Sequence, residues 1–116
     1  MLERDAVPAF AALAQETRLQ IVRLLVKAGP DGMAAGALGE AVGATSSRLS
    51  FHLKELEHAG LVTSRRQSRS IIYSASFSGL GEVLRFLTED CCQGHPEVCS
   101  PALAGLARCC PEPADA

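Results

Sequence analysis

The sequence predicts a mainly α fold that carries one β-hairpin ahead of its last helix. Three observations point there. Apolar residues recur at helical spacing over four successive stretches up to Ala59, with turn signals between them. The pattern then changes to a two-residue period over 61–75, LVTSRRQSRSIIYSA, before helical spacing returns at Leu80. Charge is also divided. Between 48 and 69 stand Arg48, Lys54, Arg65, Arg66 and Arg69 against Glu55 and Glu57 only. Residues 70–116 carry Arg85 and Arg108 against Glu82, Glu89, Asp90, Glu97, Glu112 and Asp115. Four helices, a basic hairpin and a helix are the order of a winged helix-turn-helix.

Each element follows from local chemistry. A first helix is expected over 5–15, with Val7, Phe10, Ala11 and Ala14 on its apolar stripe. A second runs from Glu16 to Ala28, turning Leu19, Val22, Leu25 and Val26 inward and Arg18, Arg23 and Lys27 outward. Gly29-Pro30-Asp31-Gly32 ends it, and a short helix over 34–42 holds Leu38 and Val42. After the tight turn Gly43-Ala44-Thr45, the Thr45 hydroxyl caps a helix from Ser46 to about Ala59. Leu49, Leu53 and Leu56 supply its buried face, and Gly60 closes it. Strands over 61–66 and 70–75 meet at Gln67-Ser68-Arg69. Ser78 is expected to cap the last helix, over 79–90, whose stripe is Leu80, Val83, Leu84 and Leu87. Beyond Asp90, CCQGHPEVCSP reads as loop, and a short helical turn is expected over 102–108. The division is therefore 1–90, a winged helix-turn-helix domain, and 91–116, a cysteine-bearing loop and tail.

Bulk composition narrows the function. The 116 residues fit one small domain, and the 47% apolar content suffices for a core of Leu, Val, Ile and Ala. A net charge of -2 argues against a nonspecific nucleic-acid coat, whereas the basic middle suits a protein that touches phosphates with one region. No apolar run approaches the roughly 20 residues that span a bilayer, and MLERDAVPAF is no secretory signal, so a cytoplasmic protein without membrane contact is expected. Its five Cys then read as ligands or reactive thiols rather than a disulfide framework. An enzyme is not expected. No phosphate-cradling loop is present and no basic cluster flanks the cysteines.

The expected DNA-reading element is the helix from Ser46. Its first turn, Ser46, Ser47, Arg48 and Ser50, is small and polar, so it can approach base edges, and Arg48 can reach a guanine or a phosphate. Phe51 lies away from the Leu stripe, where it can meet a thymine methyl. Lys54, Arg65, Arg66 and Arg69 are expected on phosphates. His52 belongs to the same helix and is counted with these DNA-binding residues, though it reads as a partly buried, hydrogen-bonded histidine rather than a metal ligand. Singly these signals are weak, since Ser-rich starts are commonly just caps and basic hairpins just solvated. Their order carries the reading.

The segment TSSRLSFHLKELEHAGLVTSRRQSRSIIYS resembles the recognition helix and wing of the ArsR/SmtB repressors, and LAQETRLQIVRLL is similar to that family's second helix. The likeness covers residues 8–89. It implies a homodimer whose first and last helices pair across a two-fold axis, bound to an inverted-repeat operator when metal-free and released when loaded. Ser68 departs from the Gly common in such wings.

Family members sense through different grafted sites. The Cys-Val-Cys motif of many arsenic-responsive members corresponds to Met33–Leu38 here, with Ala34 and Gly36 at the thiol positions. The last helix has no His for a zinc site. Cys91, Cys92 and Cys99 remain. Trivalent arsenic is soft and takes three thiolates, which two adjacent Cys and a third across a six-residue loop can supply. A Cys91–Cys92 disulfide is disfavoured, because adjacent Cα atoms lie about 3.8 Å apart and bridges usually need roughly 4.4 Å or more. The spacing resembles the C-terminal arsenite sites of one ArsR subgroup. Cys109 and Cys110 read as dispensable, and His95 matters only for zinc or cadmium. The expectation is a repressor induced by As(III), and by Sb(III) on the same chemistry, with no organic cofactor. A thiol redox switch, or a cadmium, lead or zinc sensor, on the same fold is the alternative.

Overall fold

The computed structural model describes residues 3–88. Its elements are α1 (Glu3–Leu13), α2 (Glu16–Ala28), a 3-10 turn (Gly29–Asp31), β1 (Met33–Ala34), α3 (Ala35–Val42), α4 (Ser46–His58), β2 (Val62–Gln67), β3 (Ser70–Ala75) and α5 (Phe77–Thr88). The winged helix-turn-helix order is present. Strand β1, two residues long, was not expected. It pairs antiparallel with β3, Met33 opposite Tyr73 and Ala34 opposite Ile72, giving the sheet order β1-β3-β2. Two residues are too few for a visible period, which is why the alternation in sequence does not reveal it.

The compact unit that ends at Val83 is organised around Ile21, Leu25, Leu38, Leu53, Leu56 and Leu61, all fully buried. Each contributes about 1.5–3 kcal/mol by leaving water. From Leu84 the chain belongs to a second unit, whose described part is the end of α5, where the Thr88 hydroxyl donates to the Leu84 carbonyl at 2.9 Å. No described helix is long and apolar enough to cross a membrane.

Three apolar stripes and one cap differ from expectation. On α1 the buried stripe is Ala6, Ala9 and Ala12, while Val7 is 65% exposed, Ala11 and Ala14 are exposed and Phe10 is half-buried. Alanines let α1 lie close on α2 and α4. On α2, Ile21 joins Val22 and Leu25 inside, whereas Leu19 and Val26 face out. Apolar residues surround this helix, so its periodicity alone does not choose the inner face. Ser76, not Ser78, caps α5: its hydroxyl accepts from the Gly79 N–H at 3.1 Å. On α5 Val83 is buried and Leu80 half-buried, but Leu84 and Leu87 are exposed.

The turns behave as their chemistry demands. Gln15 Oε1 accepts from the Arg18 N–H at 2.9 Å and opens α2, and Thr45 Oγ1 accepts from the Arg48 N–H at 3.4 Å and opens α4. Gly43 closes α3 in the left-handed region at φ 69°. Ser68, in the wing turn, is the one non-glycine at positive φ among the described residues, at 57°.

Candidate nucleic-acid interface

Helix α4 divides its residues by angle. At about 100° per residue, Leu49, Leu53 and Leu56 fall on one side and are buried. Ser47, Ser50, Phe51 and Lys54 fall on the opposite side, and all four are exposed. This outward face is the one that could enter a groove. Phe51 is 56% exposed, where a core aromatic would be covered.

The two flanks of α4 are concave. On one, Ser46 and Ser50 meet Gly36, Gly39 and Glu40 of α3 around an open cleft of about 360 Å³. On the other, Ser47, Arg48, Phe51 and His52 meet Gln15, at the start of α2, around an open cleft of about 420 Å³. Exposed Arg48 thus lies on the α2 side, next to the reading face rather than at its centre.

His52 is half-buried and hydrogen-bonded. Its Nδ1 accepts from Arg18 Nε at 3.1 Å, and its ring tilts 59° against that of Phe51 at a centroid distance of 5.8 Å. The Arg18 guanidinium also stands over Phe51, 5.5 Å from the ring centroid. Burial, then the cations Arg18 and Arg48, hold the His52 pKa below the ordinary histidine value. A neutral ring keeps Nδ1 free to accept. Arg18 was expected in solvent. It is half-buried against α4, and no periodicity in the sequence signals that approach.

The hairpin separates its arginines. Arg65 and Arg66 are neighbours on β2 and so project to opposite faces of the sheet, opposite Ile72 and Ile71 respectively. Arg65 turns back on its own chain. Its Nη2 donates to the Asp31 carbonyl at 2.7 Å, and Nη1 donates to Ser74 Oγ at 3.1 Å and to the Pro30 carbonyl at 3.4 Å. Arg66 and Arg69 are exposed on the wing. Ser64 Oγ donates to Glu57 Oε2 at 2.9 Å and ties the wing to the end of α4. The structure therefore brings Ser47, Arg48, Phe51 and His52 together around one cleft, and it sets Arg65 to a different use from Arg66 and Arg69.

Among the described residues no group of three or more His, Cys, Asp or Glu is placed to hold a metal ion. Cys91, Cys92 and Cys99, with His95, Cys109 and Cys110 and the expected turn over 102–108, lie outside the described residues.

Comparison with known proteins gives this geometry relatives. A helix-turn-helix domain model matches residues 13–65. The nodulation protein NolR of Rhizobium meliloti is 39% identical over 80 residues, 69% of this chain and 63% of NolR. The transcriptional activator HlyU of Vibrio cholerae is 30% identical over 90 residues, 78% of this chain and 81% of HlyU. The chain thus spans less than two thirds of the NolR relative. Among solved structures, an ArsR-like transcriptional regulator from Rhodococcus sp. RHA1 superposes with a TM-score of 0.64 at 26% identity, covering 92% of this chain and 93% of that one. A homodimeric winged helix-turn-helix DNA-binding domain from Mycobacterium bovis superposes with a TM-score of 0.61 at 26% identity, covering 75% and 81%.

Proposed function

Because the chain belongs to the ArsR-like winged helix-turn-helix transcriptional regulators, we propose that it is a homodimeric repressor that leaves an inverted-repeat operator when Cys91, Cys92 and Cys99 bind trivalent arsenic. DNA binding and transcription regulation come with the family. The observation that carries the DNA reading here is the exposed face of α4, Ser47, Ser50, Phe51 and Lys54, beside exposed Arg48 and the wing residues Arg66 and Arg69. Serines and Phe51 read base edges, and the cations meet phosphates. HlyU is named an activator, so repression is our reading rather than the relatives' common property.

Dimerisation is supported by the exposed apolar side chains of α1 and α5, Val7, Leu84 and Leu87, and by the homodimeric M. bovis domain. Two-fold symmetry would then place half-sites about one helical turn apart, roughly 34–36 Å. The cytoplasm is the compartment in which DNA and reduced thiols meet.

The inducer reading rests on donor chemistry. Cys91, Cys92 and Cys99 offer three soft sulfurs, the set that trivalent arsenic, and antimony with it, prefers. The redox switch and the cadmium, lead or zinc sensor are separated from it by one titration. Purified protein on its promoter DNA is challenged with arsenite, antimonite, cadmium, zinc and oxidant, the metals under reducing conditions. Release by arsenite, lost in Cys91→Ser, Cys92→Ser and Cys99→Ser while their unloaded DNA binding persists, is the expected result. Release by oxidant alone, or loss of DNA binding in the unloaded variants, would falsify it. Truncation after Ser100 should change little.

A further inference from the structure

We propose that Arg18, on the helix that precedes the helix-turn-helix pair, is a further DNA contact: together with Arg48 it grips one backbone phosphate at the cleft between α2 and α4, and His52 serves as its positioning residue.

The argument starts from how Arg18 is held. A surface arginine ordinarily samples many rotamers, and ordering it costs up to about 2 kcal/mol. Here the side chain is fixed twice, by the Nε–Nδ1 hydrogen bond to His52 at 3.1 Å and by the Phe51 ring beneath the guanidinium. Both partners line the open cleft of about 420 Å³ that also presents Arg48, Ser47 and Gln15. Nε is used by His52, which leaves the guanidinium's two Nη groups as the fork that matches phosphate oxygens. Arg18 holds the His52 and Phe51 rings, and those two rings line the cleft together with Arg48, so the two cations flank the same pair of rings. Two cations on the same pair of rings favour an anion. The cleft adjoins the exposed face of α4, so a duplex read by that face passes its backbone over it.

The same geometry reassigns His52. A ring whose Nδ1 accepts from Arg18 and whose burial is half complete serves the arginine better than a base edge. Phe51 then has two uses, its edge toward the groove and its face toward Arg18.

The inference rests on DNA binding by this chain, and the test keeps the two apart. The protein is titrated onto a labelled 30-bp duplex of its promoter DNA, read by fluorescence anisotropy between 50 and 250 mM NaCl. Each phosphate contact contributes about 0.9 to the slope of log affinity against log salt. Arg18→Gln should weaken binding about tenfold at low salt and lower that slope by about one. Arg18→Lys should keep the slope while losing part of the affinity. His52→Ala should weaken binding severalfold, and His52→Gln, whose amide oxygen can still accept from Nε, should recover most of it. Thermal melts of each variant control for folding. An unchanged slope in Arg18→Gln, in a variant that melts like the parent, overturns the proposal. So does a His52→Gln variant as weak as His52→Ala. If the parent protein fails to bind the duplex at all, the DNA reading itself falls, and this inference with it.

Discussion

Arg65 and Arg66 are adjacent in sequence and opposite in use. Strand alternation sends Arg65 to the 3-10 turn, where it donates to two backbone carbonyls and a serine hydroxyl, and leaves Arg66 in solvent. Arg65→Ala should therefore loosen the wing and cost about 1–2 kcal/mol of stability, because exposed hydrogen bonds contribute at the low end of the usual range. It should barely move the salt dependence of DNA binding. Arg66→Ala with Arg69→Ala should do the reverse, lowering the salt slope by about two with little change in melting temperature. Identical slopes for the two variants would remove the distinction. His52 makes a second prediction. Its folded pKa is depressed, first by burial and then by Arg18 and Arg48, so the unfolded chain binds that proton more tightly. Between about 6.5 and the lower folded value the unfolded state carries more protons, and stability rises with pH. Acidifying through this window should cost stability in the parent, and the loss should shrink in His52→Gln. Denaturant midpoints at pH 7 and pH 5 measure it, and equal losses in both proteins would refute the assignment.

At the level of elements, glycines mark where backbones touch. A Cβ on Gly79, in the first turn of α5, would collide with the Gly60 carbonyl oxygen at the end of α4. Rigid backbone cannot yield as a side-chain tip can, so Gly79→Ala should destabilise by about 1–3 kcal/mol, as overpacked cores do. Urea unfolding checks this, and a neutral Gly79→Ala would mean that α5 starts further from Gly60. That contact is long-range and no sequence pattern announces it. The contrast with α4 is instructive. There cap, apolar stripe and terminating glycine are all local, and Thr45, Leu49, Leu53, Leu56 and Gly60 take the places expected of them. Helices α1 and α2 carry too many apolar or small residues for period alone to pick the inner face, and Val7, Leu19 and Val26 end outside. The interface was legible in the same uneven way. The outward face of α4 follows from counting along a helix, but the arrival of Arg18 and Gln15 beside it depends on how α2 packs. Ser68 is a middle case: the turn was readable, and its left-handed backbone is a strain that glycine would relieve.

For the whole molecule the proposed inducer has a signature in protons. Near neutral pH arsenite is As(OH)₃, an uncharged species. Its binding to Cys91, Cys92 and Cys99 forms three As–S bonds and breaks three As–OH bonds. The three thiol protons leave with the three hydroxides as water, so no net proton is released. A divalent metal brings no hydroxide, so binding it displaces thiol protons into solution and tightens as pH rises. Free cysteine titrates at about 8.5, and the carboxylates Glu89, Asp90 and Glu97, close by in sequence, oppose further thiolate charge. Most of the thiols are then protonated between about pH 6 and 8, the condition under which the two chemistries diverge most. Arsenite affinity, read as release from promoter DNA, should change little across that range, while cadmium affinity rises steeply if cadmium uses the same sulfurs. Both ligands are read on the same promoter DNA, so any pH dependence of DNA binding itself cancels in their ratio. A steep rise for arsenite would mean that the thiols, or a group coupled to them, ionise on binding, and the neutral three-thiol exchange would have to be abandoned.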